Sequence, residues 1–169
     1  MNLKNLPLLN AECQLVEPSG DQPWDDPTLY AAYGSNLSLS QMAVRCPEAR
    51  PVARVILEGW RLNFRRVADV EPGASYDHLP LGVWSVKSAA DRDALDRYEG
   101  WPRLYRREIL HLKARGNRLR VVLYRMNKGD LCPPHYDYRN TIWTGYEAWG
   151  FKPNAIRSAL SRAKSATPF

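Results

Sequence analysis

The stretch Tyr30-Ala-Ala-Tyr-Gly-Ser-Asn-Leu-Ser38 organises the rest of the chain. It begins with apolar and aromatic residues, which is typical of the end of a buried strand. It then turns at Gly34-Ser-Asn36 and continues into Ser38-Leu-Ser-Gln41, a pattern that predicts a capped helix N-terminus. Such a strand, turn and new helix leave several backbone N–H groups without partners, so the loop is suited to holding a carbonyl oxygen or a carboxylate. The alternative is an ordinary strand-to-helix connection.

The composition is that of one globular domain. The chain has 169 residues, of which 44% are hydrophobic and 25% are charged, and this length allows a core without disulfides or metal. The net charge of +6 is spread along the chain and is not gathered in one block. We therefore expect neither a nucleic-acid partner nor a membrane partner, since no apolar stretch approaches the length of a membrane span. The sequence leaves homo-oligomerisation open.

The three cysteines are Cys13, Cys46 and Cys132, an odd number at wide spacing without a CxxC pair. This pattern indicates neither a disulfide framework nor a zinc site, and it favours a reduced, cytoplasmic setting. The apolar patch Leu6-Pro-Leu-Leu9 is too short for the core of a signal peptide.

The remaining chain predicts alternating strands and helices. Residues 1–27 are expected to be a poorly structured leader, because Pro18–Pro23 and Asp25–Pro27 combine turn residues without periodicity. Residues 28–169 are expected to form a single domain. Its predicted strands are Thr28–Tyr33, Val52–Leu57, Trp60–Arg65, Pro80–Val86, Tyr105–Lys113 and Leu119–Met126, and its predicted helices cover Leu39–Arg45, residues 88–98 and two C-terminal segments around 138–149 and 156–163. Residues 69–79 are predicted to be a polar loop. The order of elements indicates a mixed α/β domain with a curved or barrel-like sheet.

Most familiar catalytic signatures are missing from the sequence. It has no P-loop, no GxGxxG and no GxSxG motif. His78, His111 and His135 have no ligand spacing and are interpreted as structural or solvent-facing. Ser35 lies in the predicted turn, but no histidine or lysine is placed by sequence to activate it, so a nucleophile is the less favoured interpretation.

Glu99 is the acidic residue of most interest. It lies in Leu95-Asp-Arg-Tyr-Glu-Gly-Trp-Pro102, at the end of a predicted helix and directly before its terminating glycine. The partial negative charge of a helix C-terminus and the nearby rings of Tyr98, Trp101 and Tyr105 would both raise the pKa of this carboxyl toward neutrality. A proton-transferring group needs such a pKa. The alternative is a surface glutamate at a frayed helix end.

Two motifs in this order, Tyr33-Gly-Ser-Asn-Leu37 and Leu95-Asp-Arg-Tyr-Glu-Gly100, give the chain a family resemblance. The sequence resembles the γ-glutamylcyclotransferase family, including its avirulence-induced-gene-like proteins, over roughly residues 28–152. Further matching segments are Arg45–Ala49, Gly59–Phe64, Leu81–Trp84, Tyr105, Tyr124–Met126 and Tyr138–Tyr146. The loop has Asn36 where the glutathione-specific branch tends to have leucine, which makes glutathione a less favoured substrate.

The resemblance implies an α/β fold around a small, mostly antiparallel β-barrel with surrounding helices. It implies release of 5-oxoproline from a small-molecule γ-glutamyl substrate, an amino acid or an amine, with no metal and no organic cofactor. It assigns general acid/base catalysis to Glu99, and substrate binding to Tyr33, Gly34, Ser35, Asn36, Leu37, Tyr105 and Tyr138.

Two alternatives remain open at this point. One is a relative that acts on another acyl or amide compound. The other is a basic binding protein without catalysis. The last alternative predicts an exposed Glu99 and one continuous face formed by Arg61, Arg65, Arg106, Arg107, Arg118 and Arg120.

Overall fold

The computed structural model describes residues 1–20, 24 and 27–167. Its strands are β1 (Leu8–Pro18), β2 (Leu29–Ala32), β3 (Arg50–Glu58), β4 (Trp60–Arg65), β5 (Val67–Pro72), β6 (His78–Ser85), β7 (Tyr105–Ala114) and β8 (Asn117–Met126). Its helices are α1 (Leu39–Arg45), α2 (Ala89–Glu99), α3 (Tyr136–Trp149) and α4 (Asn154–Ala166), with short 3₁₀ turns at Leu3–Asn5 and Ser35–Leu37. None of the helices in these described ranges is long and apolar enough to cross a membrane.

Six strands close into a barrel in the order β1-β3-β6-β2-β8-β7, and β4 and β5 form a separate two-stranded sheet. Neighbouring barrel strands are antiparallel except for β1 with β3 and β2 with β8. The register between β2 and β8 consists of the single pair Tyr30 with Val122 among the described residues. The predicted mixed α/β fold with a small, mostly antiparallel barrel is confirmed.

The expectation of a poorly structured leader is wrong for the part of it that forms β1. This strand pairs in parallel with β3 and antiparallel with β7, so it is a full member of the barrel. Its residues from Leu9 to Leu15 alternate between apolar and polar, which is a strand pattern, although Ala11 is the one buried residue of β1. The pairing of the strand on both sides cannot be inferred from sequence. Of the predicted turn segments at Pro18–Pro23 and Asp25–Pro27, residues 21–23 and 25–26 lie outside the described residues.

The predicted polar loop at 69–79 is also wrong in part, because it contains most of β5 and the start of β6. The polar residues of β5 have partners that the sequence does not reveal. Asp69 is buried and accepts hydrogen bonds from Arg65 Nε and from the Met126 N–H, at 3.0 and 2.9 Å. Glu71 pairs with Arg61 at 2.7 Å. Ala68 and Val70 form the buried apolar face of β5, and the ion-paired Asp69 and Glu71 lie on its other face.

Local signals correctly predicted several element boundaries. α1 and β4 have the predicted bounds. At the start of α2, the Ser88 hydroxyl accepts from the Asp91 N–H, and Gly100 ends the helix in the left-handed region with φ of +63°. A glycine is favoured at such a C-terminal position because it has no Cβ. The two predicted strands β7 and β8 pair as a hairpin, which turns at Arg115 and Gly116.

The outer face of the barrel packs against α3 through a tightly filled apolar core. The Trp149 ring lies 5.7 Å from that of Trp84, and its Nε1–H donates to the Leu37 carbonyl at 2.8 Å. A Cβ at Gly82 would approach this indole to 2.7 Å, and a Cβ at Gly145 would approach Leu37 Cβ to 2.8 Å. Neither position has room for a side chain, so this contact fixes the loop that follows β2 against the helix.

Candidate active site

The loop after β2 packs closely at Gly34 and begins a 3₁₀ turn whose first N–H groups have no partner inside the turn. A Cβ at Gly34 would lie 3.2 Å from Ala68 Cβ and 3.3 Å from Tyr138 Oη, which is tighter than an ordinary contact. Within the following 3₁₀ turn, the Leu37 N–H donates to the Gly34 carbonyl and the Ser38 N–H to the Ser35 carbonyl. The first N–H groups of a helical turn have no partner inside it. Those of Ser35 and Asn36 are therefore the donors that the loop can offer.

Beside this loop lies a cavity of about 180 Å³. It brings together most of the residues that the sequence predicted for a site: Tyr33, Gly34, Ser35, Asn36, Glu99, Tyr105 and Tyr138. It is completed by Tyr30, Val67, Ala68, Tyr98 and Leu104. Residues from β2, α2, β7 and α3, which are distant in sequence, therefore line one cavity.

Leu37 does not line this cavity. Its side chain is fully buried on the other side of the loop, against Gly82 and Gly145. The expectation that it contacts a substrate disagrees with this placement. Adjacent residues of the turn point to opposite sides, so one stretch serves both the cavity and the core.

Glu99 is the last residue of α2 and lines the cavity beside the loop. Burial raises the pKa of its carboxyl to about 7, and this effect outweighs the Arg45 charge and a hydrogen bond with Tyr30, which both lower it. The predicted direction of the pKa shift is thus the direction found, with burial as its largest cause. Near neutral pH, such a group both accepts and releases a proton.

The Asn36 amide joins Glu99 to its neighbours. Its Nδ2 donates to Glu99 Oε1 at 3.1 Å and to the Tyr30 hydroxyl at 2.9 Å. Its Oδ1 accepts from Arg45 Nη1. The Arg45 guanidinium in turn lies over the Tyr98 ring, 3.2 Å from the ring centre. Asn36 is itself buried, its contact with Tyr30 is fully buried, and its contacts with Glu99 and Arg45 are partly buried.

Ser35 is occupied by a hydrogen bond at the cavity wall. Its Oγ lies 2.8 Å from the Tyr98 hydroxyl. No histidine or lysine of the described residues lines the cavity. Among the described residues, Ser35 therefore has no cavity histidine or lysine to activate it, which agrees with the less favoured status of a nucleophilic serine.

Tyrosine hydroxyls form much of the rest of the wall. Tyr105 donates to the Ala68 carbonyl at 2.6 Å, and Tyr138 accepts from the Ala68 N–H at 3.0 Å. Tyr33 donates to the Tyr124 carbonyl at 2.5 Å. Burial raises the pKa of all three wall phenols, so they stay protonated at neutral pH. They fix β5 and the loop in place and keep the wall uncharged.

Sequence reasoning did not single out Arg45 or Tyr30 for the site. Arg45 lies in a helix that its sequence correctly predicted, but nothing in that pattern shows that its side chain returns to Asn36. Trp101 was expected beside Glu99, yet its ring lies 3.9 Å from the Arg107 guanidinium and does not line the cavity. Such assignments depend on which residues the barrel places opposite one another.

The basic-face alternative disagrees with the structure. Arg107 is only 2% exposed, so the six arginines do not form one continuous surface. Arg61 and Arg65 pair with Glu71, and Arg106 pairs with Glu108.

Outside the cavity, the histidines have local roles. His111 contacts Glu17 at 2.6 Å, and the His135 side chain accepts from the Asp137 N–H at the start of α3. In the described part of the chain, no three His, Cys, Asp or Glu side chains cluster as a metal ion would require.

Several solved structures have the same fold as this chain at low sequence identity. A solved structure named gamma-glutamyl cyclotransferase is 21% identical, with a TM-score of 0.65, and the match covers 83% of this chain and 88% of that one. An uncharacterized protein from Homo sapiens is 22% identical with a TM-score of 0.66, over 84% and 89% of the two chains. YkqA from Bacillus subtilis is 18% identical with a TM-score of 0.62, over 85% of this chain and 56% of that one. These likenesses show a shared fold.

The family assignment comes from the sequence itself. No curated protein matches the chain. A sequence profile described as gamma-glutamyl cyclotransferase, AIG2-like (GGACT) matches residues 30–145, which is more than half of the chain and includes both the loop and Glu99. The chain therefore belongs to the gamma-glutamyl cyclotransferase, AIG2-like family.

Proposed function

We propose that this protein is a γ-glutamyl cyclotransferase-type lyase, which releases 5-oxoproline from a γ-glutamyl amino acid or a γ-glutamyl amine. The observation that carries the proposal is Glu99, which lines a small cavity together with the Tyr33–Asn36 loop and has a pKa of about 7. Family membership supports the same reaction.

The reaction is an intramolecular acyl transfer. The α-amine of the glutamyl group attacks its own γ-carbonyl carbon, a new C–N bond closes the five-membered ring, and the bond to the leaving amine breaks. Glu99 takes the proton from the α-ammonium and delivers a proton to the leaving nitrogen, so one carboxyl acts first as base and then as acid. Both reacting groups belong to the substrate, and the step is neither oxidative nor reductive, so the proposal needs no cofactor.

The loop supplies binding and charge stabilisation in this proposal. Ring closure requires the flexible glutamyl chain to be held folded, which is positioning work. Ser35 and Asn36 begin the turn and line the cavity, which supports a role of their N–H groups in binding an oxyanion or the substrate α-carboxylate. Tyr105 and Tyr138 act as neutral walls.

The size of the cavity favours a small group. Its volume of about 180 Å³ is below the roughly 300–1,000 Å³ of pockets that enclose drug-sized ligands. We assign the enclosed space to the γ-glutamyl group, with the leaving amine directed to the mouth. A cytoplasmic location stays a prediction, which the three free cysteines favour.

The test is incubation with a panel of γ-glutamyl amino acids and γ-glutamyl amines, with glutathione included, followed by mass-spectrometric detection of 5-oxoproline. We expect release from at least one class of substrate, and little from glutathione. Glu99→Gln keeps the side-chain shape and removes the base, and Glu58→Gln is the matched control on an exposed glutamate at the end of β3.

Release by the wild-type protein and by Glu58→Gln, with none by Glu99→Gln, would support both the reaction and the role of Glu99. A folded wild-type protein that releases no 5-oxoproline from any member of the panel contradicts the reaction. Equal activity of Glu99→Gln would keep the reaction and remove Glu99 from its proposed role.

A further inference from the structure

Arg45 does not line the cavity, but the Asn36 amide connects its guanidinium to the Glu99 carboxyl, which does. We propose that Arg45 is a positioning residue of the site, which fixes the orientation of the Asn36 amide and holds Glu99 as a carboxylate directed at the cavity. This inference rests on the proposed function for its catalytic meaning, but its geometry stands independently.

The first step concerns the orientation of the Asn36 amide. A guanidinium has only donors, so the amide must turn its oxygen toward Arg45. This leaves the NH₂ group to donate to Glu99 and to Tyr30. The flipped amide would set its NH₂ against the guanidinium and its oxygen against the Glu99 carboxylate, and both contacts would be repulsive. Arg45 therefore selects the one orientation that stabilises an ionised Glu99.

The second step concerns what holds Arg45. Its guanidinium lies flat over the Tyr98 ring at 3.2 Å, and the Tyr98 hydroxyl is 2.8 Å from Ser35 Oγ. Tyr98 is adjacent to Glu99 in α2, and Ser35 is adjacent to Asn36 in the loop. The contacts thus run from the loop to Arg45, from Arg45 to α2, and back to the loop. A closed set of contacts restricts every member more than a single hydrogen bond does.

The third step concerns charge. Tyrosines face Glu99 from β2, the loop, β7, β8 and α3, and burial raises the pKa of each of these phenols so that they are neutral at pH 7: Tyr30, Tyr33, Tyr105, Tyr124 and Tyr138. Arg45 approaches from α1 and is the cation that lowers the pKa of Glu99 in the described part of the chain. Burial alone would raise that pKa above about 7, and Glu99 would then be largely protonated at neutral pH.

The direct test follows the Glu99 side-chain carboxyl by ¹³C NMR titration, which needs no substrate. The Glu99 signal is identified by its loss in Glu99→Gln. We expect a midpoint near pH 7 in the wild-type protein, a midpoint about one pH unit higher in Arg45→Met, and recovery toward the wild-type value in Arg45→Lys. Arg157→Met is the control, since Arg157 lies over the Trp143 ring and contacts no cavity residue through that stacking.

The second readout is the pH profile of kcat/KM for 5-oxoproline release. We expect its acidic limb to move to higher pH by about one pH unit in Arg45→Met, which is a loss of about tenfold at pH 6 and a small loss at pH 9. Arg45→Lys restores the limb, and Arg157→Met leaves it unchanged. A purely structural role of Arg45 would lower kcat/KM at every pH without moving the limb.

The two proposals fail in different ways. An unchanged Glu99 midpoint in Arg45→Met overturns the role of Arg45, whether or not the protein turns over substrate. Absence of turnover in the wild-type protein contradicts the proposed function, and the NMR titration then still decides the role of Arg45. If Arg45→Met does not fold, Arg45→Gln supplies a second neutral variant with the same expected midpoint.

Discussion

Two polar clusters lie within one turn of each other at the C-terminal end of α2, one around Asp96 and the other around Glu99. In the first, Asp96 accepts from the Tyr124 hydroxyl at 2.6 Å and pairs with Arg107 at 3.3 Å. Arg107 is buried and lies 3.9 Å from the centre of the Trp101 ring. A carboxyl, a tyrosine, and an arginine over an aromatic ring form a directly bonded unit.

The second cluster uses the same kinds of residue in a different order. Glu99 is accompanied by Arg45, which lies over the Tyr98 ring, but the Asn36 amide stands between the guanidinium and the carboxyl. The carboxyl therefore has a partner that stabilises it and still has a face toward the cavity.

The comparison shows that a raised pKa does not by itself distinguish the two carboxyls. Burial raises the pKa of Asp96 as well, although Tyr124 and Arg107 lower it. What differs is space: Glu99 lines the cavity and Asp96 does not. Burial together with an open face supports the proposed role of Glu99, whereas direct pairing with Arg107 and Tyr124 supports a structural role of Asp96.

The largest expected effect is on turnover. Glu99→Gln should lower kcat for 5-oxoproline release by about 10³-fold, since it removes the proposed general acid/base. Asp96→Asn should leave kcat of the folded protein nearly unchanged. The measurement is 5-oxoproline release normalised to the folded fraction by circular dichroism, and similar losses in both variants would contradict the distinction between the clusters.

The next effect is on stability, and here a substitution in the Asp96 cluster should cost more than one in the Glu99 cluster. Arg107→Met leaves Asp96 partly buried without its cation, so the free energy of unfolding should fall by about 3 kcal/mol. Arg45→Met removes a guanidinium that does not touch a carboxylate directly and should cost about 1 kcal/mol. Urea unfolding monitored by tryptophan fluorescence gives both values. A greater loss of unfolding free energy in the Arg45 variant would contradict the structural role assigned to the Asp96 cluster.

The smallest effect is a pH dependence of stability. The pKa of Glu99 is raised from 4.5 to about 7 on folding, so between these values the folded state keeps a proton that the unfolded state has lost. The stability that this proton confers is lost as pH rises toward 7. Glu99→Gln removes this loss, so its stability relative to the wild-type protein should increase by about 2 kcal/mol between pH 5 and pH 8.

The corresponding measurement is urea unfolding of the two proteins at matched pH values. A difference that stays constant with pH would show that burial of Glu99 does not perturb its titration.

Local signals in the sequence predicted the parts of the fold that local contacts determine. The capping serines, the terminating Gly100 and the alternation of Trp60–Arg65 each correspond to an element at that place. β1 was not predicted although residues 9–15 alternate between apolar and polar, and its place in the barrel depends on pairing with β3 and β7, which are distant in sequence.

The same distinction holds for the site. Glu99 could be found from sequence because a carboxylate at a helix C-terminus is unfavourable unless it is used. The loop could be found from its glycine turn, but Leu37 was placed with it, since the sequence does not show which residues of a turn face inward. Arg45 and Tyr30 lie in elements whose mutual positions only the closed barrel determines.

The pairing of β2 with β8 has a consequence for how the protein loses activity. Tyr30 forms the described backbone pair at this junction, and its hydroxyl also accepts from Asn36 in the cavity. β2 pairs with β6 over four residues, so β2 separates from β8 more readily than from β6. Local opening at this junction shifts β2 and the loop that follows it, and with them the Tyr30 and Asn36 side chains that hold Glu99, while the rest of the barrel remains paired. Thermal inactivation should therefore precede global unfolding, because the least extensively paired junction of the barrel passes through the site.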